Sequence, residues 1–228
     1  MSTEMPPAGR DPEAAAKLQI LATEHWSLLA TRSLTYTESL GRVNMFLAIL
    51  SGAVIALALV AQADHFGTAF ISVAIFMLAV VFFAGVATIS RLMMLNRDDY
   101  RWVIGMNRLR HAYVELHPEL EKYFVTSPYD DLPGALQTLG INIAGGSRLG
   151  SIGHGLQTLP GMLSVIVASV AGAIGALAAF GLGIPVLGVL LVGAAAFLVT
   201  AVLIGNSGRR SVGRFEPMLQ PRFPSPKP

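Results

Sequence analysis

The chain of 228 residues contains no cysteine. Disulfide bonds, thiolate nucleophiles and cysteine-based zinc or iron–sulfur centres are therefore excluded. Charged residues are also scarce, at 13% of the chain, whereas soluble domains carry about 25%. Hydrophobic residues make up 53% of the chain, and the mean hydropathy is +0.59. This composition argues against a disordered chain or an ordinary soluble enzyme and indicates a membrane protein.

Four apolar stretches are long enough to cross a bilayer as helices, which takes about 20 residues each. None of them contains an Asp, Glu, Lys, Arg or His. Short turns join the first stretch to the second and the third to the fourth, so each pair is expected to form an antiparallel helical hairpin. The predicted fold class is all-α, a polytopic membrane protein with four transmembrane helices in two hairpins. The four predicted spans are residues 44–62, 68–90, 160–180 and 185–204.

The basic residues indicate how these spans are oriented. All 16 lysines and arginines lie before the first span, between the second and third spans, or after the fourth span. The two short turns contain none of them. Cytoplasmic loops carry this excess of Lys and Arg. We therefore expect a multi-pass membrane protein with both termini in the cytoplasm. The preference for Arg over Lys, together with abundant Ala, Gly and Val, indicates a bacterium and hence its inner membrane.

The domain organisation follows from the spans. Residues 1–11 are expected to be disordered, and residues 12–124 to form an extended helical hairpin. In that hairpin the first two spans continue into the cytoplasm as an antiparallel helical stalk. The remaining segments are a Gly/Pro-rich cytoplasmic loop at 125–159, the second hairpin at 160–204 and a basic, Pro-rich tail at 205–228.

Apolar residues recur at alternating steps of three and four on both arms of the predicted stalk, the spacing with which one helix packs against another. The arms would make residues 12–62 and 68–116 two unbroken helices. The antiparallel register places Arg32 near Asp98 and Asp99, and Glu38 near Arg97. The alternative is a pair of independent helices lying on the membrane surface. The residues predicted to pack the stalk are Trp26, Leu29, Tyr36, Leu40, Trp102, Met106, Leu109 and Tyr113.

Small residues recur at steps of four on two of the predicted spans. In lipid, such faces let helix backbones approach closely. Packing within one chain explains part of this pattern, but the number of small faces favours self-association into a homo-oligomer. The predicted helix-packing residues are Ala48, Gly52 and Ala56 on the first span and Ala168, Gly172 and Ala176 on the third.

The tail after the fourth span is basic near the membrane and proline-rich beyond it. Arg209, Arg210 and Arg214 are expected to contact anionic lipid headgroups. Beyond Glu216 the composition predicts disorder. The run Pro221–Pro224 fits PxxP, but this pattern is too common in disordered ends to imply a ligand site.

No arrangement of residues indicates catalysis. The chain lacks HExxH and Gly-x-Ser-x-Gly motifs, and the Gly-rich run at 144–155 lacks the GK[ST] ending of a phosphate-binding loop. His111 and Glu115, one helical turn apart, are interpreted as a surface pair rather than metal ligands. We therefore predict no enzyme activity, no cofactor, no metal and no nucleic-acid partner.

Two functions remain compatible with the sequence. The spans contain no ionisable residue, which argues against an ion-coupled transporter. In the first function, subunits assemble in the bilayer and form or gate a pore lined by small and hydroxyl residues. In the second, the protein is a non-conducting anchor or scaffold whose cytoplasmic stalk recruits a soluble partner.

The polar N-terminal helix, the tight turn between two spans and the run RLMMLNRDDYRWVIGMNRLRHAYVEL at 91–116 resemble the SLATT-type bacterial membrane proteins. The resemblance covers residues 12–124 and concerns topology and helix layout. It implies a membrane-disrupting or pore-forming effector of nucleotide-signalled conflict systems. The second pair of spans departs from the two-span plan of that family, and no functional residue is carried over.

Overall fold

The protein is predominantly helical in the part of the chain that the structure describes. A computed structural model describes residues 12–141, 158–215 and 220–226, without the side chains of 211–215. No strand occurs among these residues, and the predicted all-α class is confirmed. The helices are α1 (Pro12–Asp64), α2 (Thr68–Leu116), a 3-10 helix (Pro118–Tyr123), α3 (Leu132–Thr138), α4 (Leu159–Gly181) and α5 (Val186–Phe215).

Four helices are long and apolar enough to span a membrane, namely α1, α2, α4 and the part of α5 at Val186–Arg210. Helices α1 and α2 are unbroken over 53 and 49 residues. This confirms that both continue well beyond their predicted spans, and α1 is about 80 Å long at about 1.5 Å per residue. The expectations for residues 1–11 and for the Gly-rich run within 142–157 lie outside the described residues.

Contacts between residues divide the chain into two compact units, and α1 and α2 contribute to both. Unit 1 consists of Met1–Leu34, Asp99–Asn142 and Leu219–Pro228. Unit 2 consists of Thr35–Asp98 and Ile143–Met218.

Unit 2 has one apolar core to which all four span-length helices contribute. Phe46 of α1 and Val81 of α2 are at most 2% exposed, and Val167 of α4 is fully buried. Ile204 of α5 packs against the same cluster. A Cβ atom at Gly85 would collide with Val167 and lie 2.9 Å from Cε2 of Phe46. The absence of a side chain at Gly85 therefore lets α1, α2 and α4 approach one another.

Helices α4 and α5 approach closely at a pair of glycines. A Cβ atom at Gly172 would lie 3.1 Å from the carbonyl oxygen of Gly193, and one at Gly193 would lie 3.1 Å from that of Gly172. Ala168 is fully buried, and the Cβ of Ala176 lies 3.2 Å from the Cβ position built at Gly193. The small-residue face of the third predicted span is thus used for packing within the chain.

Asp64 organises the link between α1 and α2. Its carbonyl accepts the N–H of Gly67 at 2.9 Å, and its carboxylate accepts the N–H of Phe70 at 2.7 Å. One residue therefore ends α1 and satisfies a free N–H in the first turn of α2. His65 and Phe66, between them, have φ angles of 44° and 61°, a conformation that non-glycine residues adopt rarely.

The link between α4 and α5 uses a glycine in the left-handed conformation. Gly183 has a φ of 72°, and its N–H donates to the carbonyl of Phe180 at 3.0 Å. The N–H of Ile184 donates to the carbonyl of Ala179 at 3.1 Å. This is the Schellman pattern that ends helices at glycine.

Unit 1 has a smaller core where α3 packs on α2. Met106 of α2 and Ala135 of α3 are buried in it, and Leu28 of α1 packs against it. Asp131 accepts the N–H of Gly134 at 2.9 Å and caps α3, whose first turn includes a proline. The described part of the predicted loop, residues 125–141, therefore contains a capped and packed helix, and the expectation of a plain Gly/Pro-rich loop is wrong there.

Candidate functional site

The polar centre of unit 1 is built around Asn107 of α2, which is fully buried. Its side-chain Nδ2 donates to the carbonyl of Tyr129 at 2.7 Å. Its Oδ1 accepts from Arg110 Nη1 at 2.7 Å and from Thr138 Oγ1 at 3.0 Å. Thr138 Oγ1 in turn accepts the N–H of Ser127 at 3.2 Å. The Asn107 amide thus holds the backbone that precedes α3 against α2. This contact at Tyr129 also positions the next residue, Asp130.

That residue, Asp130, is fully buried and is held from three sides. Its Oδ2 accepts Nε of Arg108 at 2.6 Å and the backbone N–H of Arg222 at 2.9 Å. Its Oδ1 accepts the N–H of Phe223 at 2.8 Å, and its own N–H donates to the carbonyl of Phe223 at 3.1 Å. Three hydrogen bonds to the carboxylate therefore satisfy a buried charge that would otherwise be costly.

The pKa of the Asp130 carboxyl reflects two opposed effects. Burial, the largest single effect, raises the pKa because it disfavours the charged form. The N–H of Arg222, the guanidinium of Arg108 and the N–H of Phe223 all stabilise the carboxylate, and the net pKa of Asp130 is lowered. The site is therefore built for an ionised Asp130.

Asp131 extends this site by one residue. Its Oδ2 accepts the N–H of Ser225 at 2.7 Å, and its Oδ1 accepts the Ser225 hydroxyl at 2.8 Å. The same Oδ1 also caps α3 through Gly134. The helix cap and the contact with Ser225 therefore share one carboxylate.

Residues 220–226, called here the C-terminal segment, lie on this pair of aspartates. Phe223 and Ser225 are half-buried and their neighbours are exposed, the alternation of an extended chain. The Phe223 ring stacks on His111 with 4.0 Å between centroids, and Arg108 Nη2 donates to the carbonyl of Gln220 at 3.0 Å. The prediction of disorder beyond Glu216 is therefore wrong for these seven residues. The sequence pattern does not reveal this site because its two halves are about ninety residues apart in the chain.

A second polar contact in unit 1 joins α1 to α2. Arg32 Nε donates to Asp99 Oδ1 at 2.7 Å and Arg32 Nη2 to Asp99 Oδ2 at 3.3 Å. This confirms the predicted pairing of Arg32 with Asp99. In unit 2, Glu38 pairs with Arg91 at 2.9 Å and with Arg42 at 2.8 Å, whereas the sequence register predicts Arg97 as its partner. Hydrogen bonds from Arg91 and then Arg42 lower the pKa of Glu38 to about 2.

The face of α1 that packs is not the predicted one. Leu28 and Arg32 face the rest of unit 1. The predicted stripe includes Leu29, the residue after Leu28, and adjacent residues of a helix point about 100° apart. The prediction relies on the most apolar stripe, whereas the fold turns inward a stripe whose arginine finds a carboxylate on α2. The predicted residues Trp26, Leu29, Tyr36 and Leu40 are 71%, 44%, 52% and 53% exposed.

On α2 the predicted stripe does face inward. Met106 is buried at 2% exposure, and Trp102, Leu109 and Tyr113 are half-buried. Tyr113 stacks on His25 of α1 with 5.9 Å between ring centroids. The indole Nε1 of Trp102 is buried and has no hydrogen-bond partner among the described residues.

Most of the remaining predicted residues that the structure describes are exposed on helix surfaces. Ala48 and Gly52 of α1 are exposed and Ala56 is half-buried, in contrast to the packed small face of α4. Arg209 and Arg210 are exposed near the end of α5, and the side chain of Arg214 lies outside the described residues.

His111 and Glu115 lie close together on α2, with 3.5 Å between His111 Nε2 and Glu115 Oε1. The described residues contain no cluster of three or more His, Cys, Asp or Glu side chains that could hold a metal ion. The pair therefore has the geometry of a contact one helical turn apart.

No protein-family model, curated protein or solved structure matches the chain. The resemblance of residues 12–124 to SLATT-type proteins thus stays a prediction.

Proposed function

We propose that this multi-pass protein is homo-oligomeric and that its assembled spans form or gate an ion pathway through the membrane. The observation that supports this proposal is the open face of α1. A Cβ atom built at Gly41 or Gly52 would meet nothing within 4 Å, and Ala48 beside them is exposed. Small residues in lipid are suited to close helix contact, and no other described helix of the chain uses this face.

The internal packing of unit 2 favours a pathway between subunits. Its core is filled by apolar side chains from all four span-length helices. The hydroxyl of Thr88 is buried and donates to the carbonyl of Ala84 at 2.8 Å, and that of Ser164 donates to Pro160 at 2.6 Å. The described core of unit 2 is therefore packed with apolar side chains, and these two hydroxyls are bonded to their own helices. A conducting path would therefore require several copies arranged around an axis.

The family resemblance points in the same direction. SLATT-type proteins are thought to disrupt membranes or form pores, and the resemblance rests on the helix layout of residues 12–124. In this proposal α1 supplies the contact between subunits, and the bilayer surrounds the outer surfaces of the spans.

The test combines assembly with flux. Purified protein in lipid nanodiscs should form a defined oligomer by mass photometry, and the same protein in liposomes should release a trapped cation. Replacing Gly52 with leucine should abolish both properties, because the side chain would occupy the open face. Gly205 of α5 also has nothing within 4 Å, so Gly205→Leu is the matched control and should retain both. A defined oligomer in silent liposomes would exclude the pathway while leaving self-association intact.

A second candidate function is a non-conducting anchor that recruits a soluble protein. The observation that favours it is the exposure of large apolar residues on α1 outside the predicted span. Trp26 is 71% exposed, and Leu34 is 69% exposed. These residues lie outside the predicted span, so the lipid bilayer would not cover them. Large apolar side chains that are exposed to water are typical of an interaction surface.

The two candidates differ in what contacts Trp26. A photo-crosslinking residue at position 26 should capture a single soluble protein if the anchor is correct, and a second copy of this chain if the stripe is part of the oligomer. Thr23, three residues earlier and also exposed, is the control position. Capture of neither at position 26 would remove the support that this stripe gives to the anchor.

A further inference from the structure

The C-terminal segment has an unusual distribution of backbone donors. Half of the residues from 221 to 226 are prolines, which have no N–H. Every N–H that remains is accepted by a carboxylate, those of Arg222 and Phe223 by Asp130 and that of Ser225 by Asp131. The prolines are Pro221, Pro224 and Pro226.

This match between donors and acceptors has the character of peptide recognition. Prolines hold a chain near the extended conformation and lower the entropy that it loses on binding. Asp130 and Asp131 accept the N–H groups of the segment. In addition, His111 stacks on the Phe223 ring, and Oδ1 of Asp131 accepts the Ser225 hydroxyl. Backbone donors, one ring and one hydroxyl are therefore recognised at fixed positions.

The receiving side of the contact is rigid for reasons independent of the segment. Asn107 fixes the backbone at Tyr129, and Asp131 caps α3. Arg108 neutralises Asp130 from α2. These contacts place both carboxylates before any peptide arrives.

We propose that Asp130, Asp131, Arg108 and His111 form a binding site for an extended, proline-rich peptide, and that the resident ligand is this chain's own C-terminal segment. The ligand class is a peptide with the sequence Arg-Phe-Pro-Ser. At the arginine position, held here by Arg222, only the backbone N–H is bound, and the exposed side chain is dispensable. The site is independent of whether the spans conduct. It makes the C-terminal segment displaceable by a peptide of the same pattern.

The test uses the full-length protein in detergent and a fluorescent peptide of residues 219–228. In the wild type the attached segment competes at an effective concentration of about millimolar, so the added peptide should bind weakly. Ser225→Glu places a carboxylate against that of Asp131 and removes the hydroxyl donor, so it should release the attached segment. The added peptide should then bind at least about tenfold more tightly than to the wild type.

Two variants control this result. Arg222→Gln retains the N–H, so its peptide affinity should equal that of the wild type. Adding Asp130→Asn to Ser225→Glu should abolish peptide binding, because it removes the negative charge and replaces one acceptor oxygen with an NH2 group that faces an N–H donor. Equal affinity of the Ser225→Glu protein with and without Asp130→Asn would overturn the proposal.

Hydrogen exchange on the unaltered protein gives a second, independent measurement. The amides of Phe223 and Ser225 should exchange more slowly than in the free peptide of residues 219–228, because each is bonded to a carboxylate in the protein. Exchange at the rate of the free peptide would show that the segment is not bound, and the proposed site would be rejected.

Discussion

Arg32 and Asp99 form a bidentate ion pair in unit 1, and Arg32 lies on the face of α1 that packs inward. The Nε–Oδ1 distance is 2.7 Å, and the Arg32 and Asp99 side chains are only 21% and 12% exposed. Bidentate pairs of this kind have a narrow range of allowed geometry. A rotation of α1 by one residue would bury apolar residues in place of Arg32 but leave Asp99 without this partner.

Removing the arginine should therefore destabilise unit 1. We expect Arg32→Leu to lower the free energy of unfolding by about 1.5–3 kcal/mol, the usual value for a hydrogen bond to a charged group. The double variant Arg32→Leu with Asp99→Leu should cost less than the single variant, since no carboxylate is left unpaired. Chemical unfolding in detergent measures both, and additive losses would show that the pair is not coupled.

Two glycines on the long helices should respond in opposite ways to alanine. Gly85→Ala places a methyl group against Val167 and Phe46, so we expect a loss of about 1–3 kcal/mol by overpacking. Gly52→Ala meets nothing within 4 Å and should leave the monomer as stable as the wild type or slightly more so. Thermal midpoints in detergent check both, and equal midpoints for the two variants would contradict the packing described for unit 2.

Asn107 should be intolerant of an apolar replacement of similar size. Asn107→Leu leaves the carbonyl of Tyr129 and the hydroxyl of Thr138 without this partner in a buried site. Each unsatisfied buried group costs about 1–3 kcal/mol, so unfolding should become easier by at least about 2 kcal/mol. Binding of the peptide of residues 219–228 should also weaken in a Ser225→Glu background, whereas Glu121→Gln, at an exposed position on the 3-10 helix, should change neither.

Unit 1 should become more stable as the pH rises through 6.5. Burial, and then the positive charge of Arg110, lower the pKa of His25 below its ordinary value of 6.5. The unfolded chain therefore binds a proton at a higher pH than the folded one, and stability is lost as the pH falls below 6.5. Unfolding between pH 5 and pH 8 should reveal this slope in the wild type, and His25→Gln should flatten it. A slope that survives in His25→Gln would assign it to another group.

Binding of the C-terminal segment should also be lost in acid, but over a lower pH range. Because the pKa of Asp130 is lowered below 3.8, its carboxylate is fully ionised at neutral pH and the contact should be constant there. Its contribution should begin to disappear as the pH falls below 3.8 and be gone once the pH passes the lowered pKa. Protection of the Phe223 amide, measured over that acid range, reports the transition, and Asp130→Asn should lack protection at every pH.

The sequence predicted the helices well because their signals are local. An apolar run of about 20 residues can be recognised in the sequence without knowing what it packs against. Helices α1 and α2 accordingly begin and end close to the predicted residues. The pairing of Arg32 with Asp99 was also predictable, since both arms extend from one turn and equal distances along two helices come level. The same reasoning was less accurate for Glu38, whose partner on α2 is Arg91 rather than the predicted Arg97.

The residues that pack were harder to predict than the helices. Hydrophobicity alone selected the stripe of Trp26 and Leu40, yet the fold exposes it. Several stripes on a long helix have the same heptad spacing, and the choice among them depends on what the second helix offers opposite each one. A partly buried ion pair and a histidine stacked on a tyrosine form only when both helices are in place.

The amino-acid order alone therefore establishes an all-helical chain with four stretches that favour lipid over water, because length and polarity are properties of each stretch separately. Folding in three dimensions adds the inward face of α1 and the contact of Asp130 with Phe223. Both depend on groups far apart in the chain that stabilise a charge only when they converge, and no local pattern of residues records that convergence.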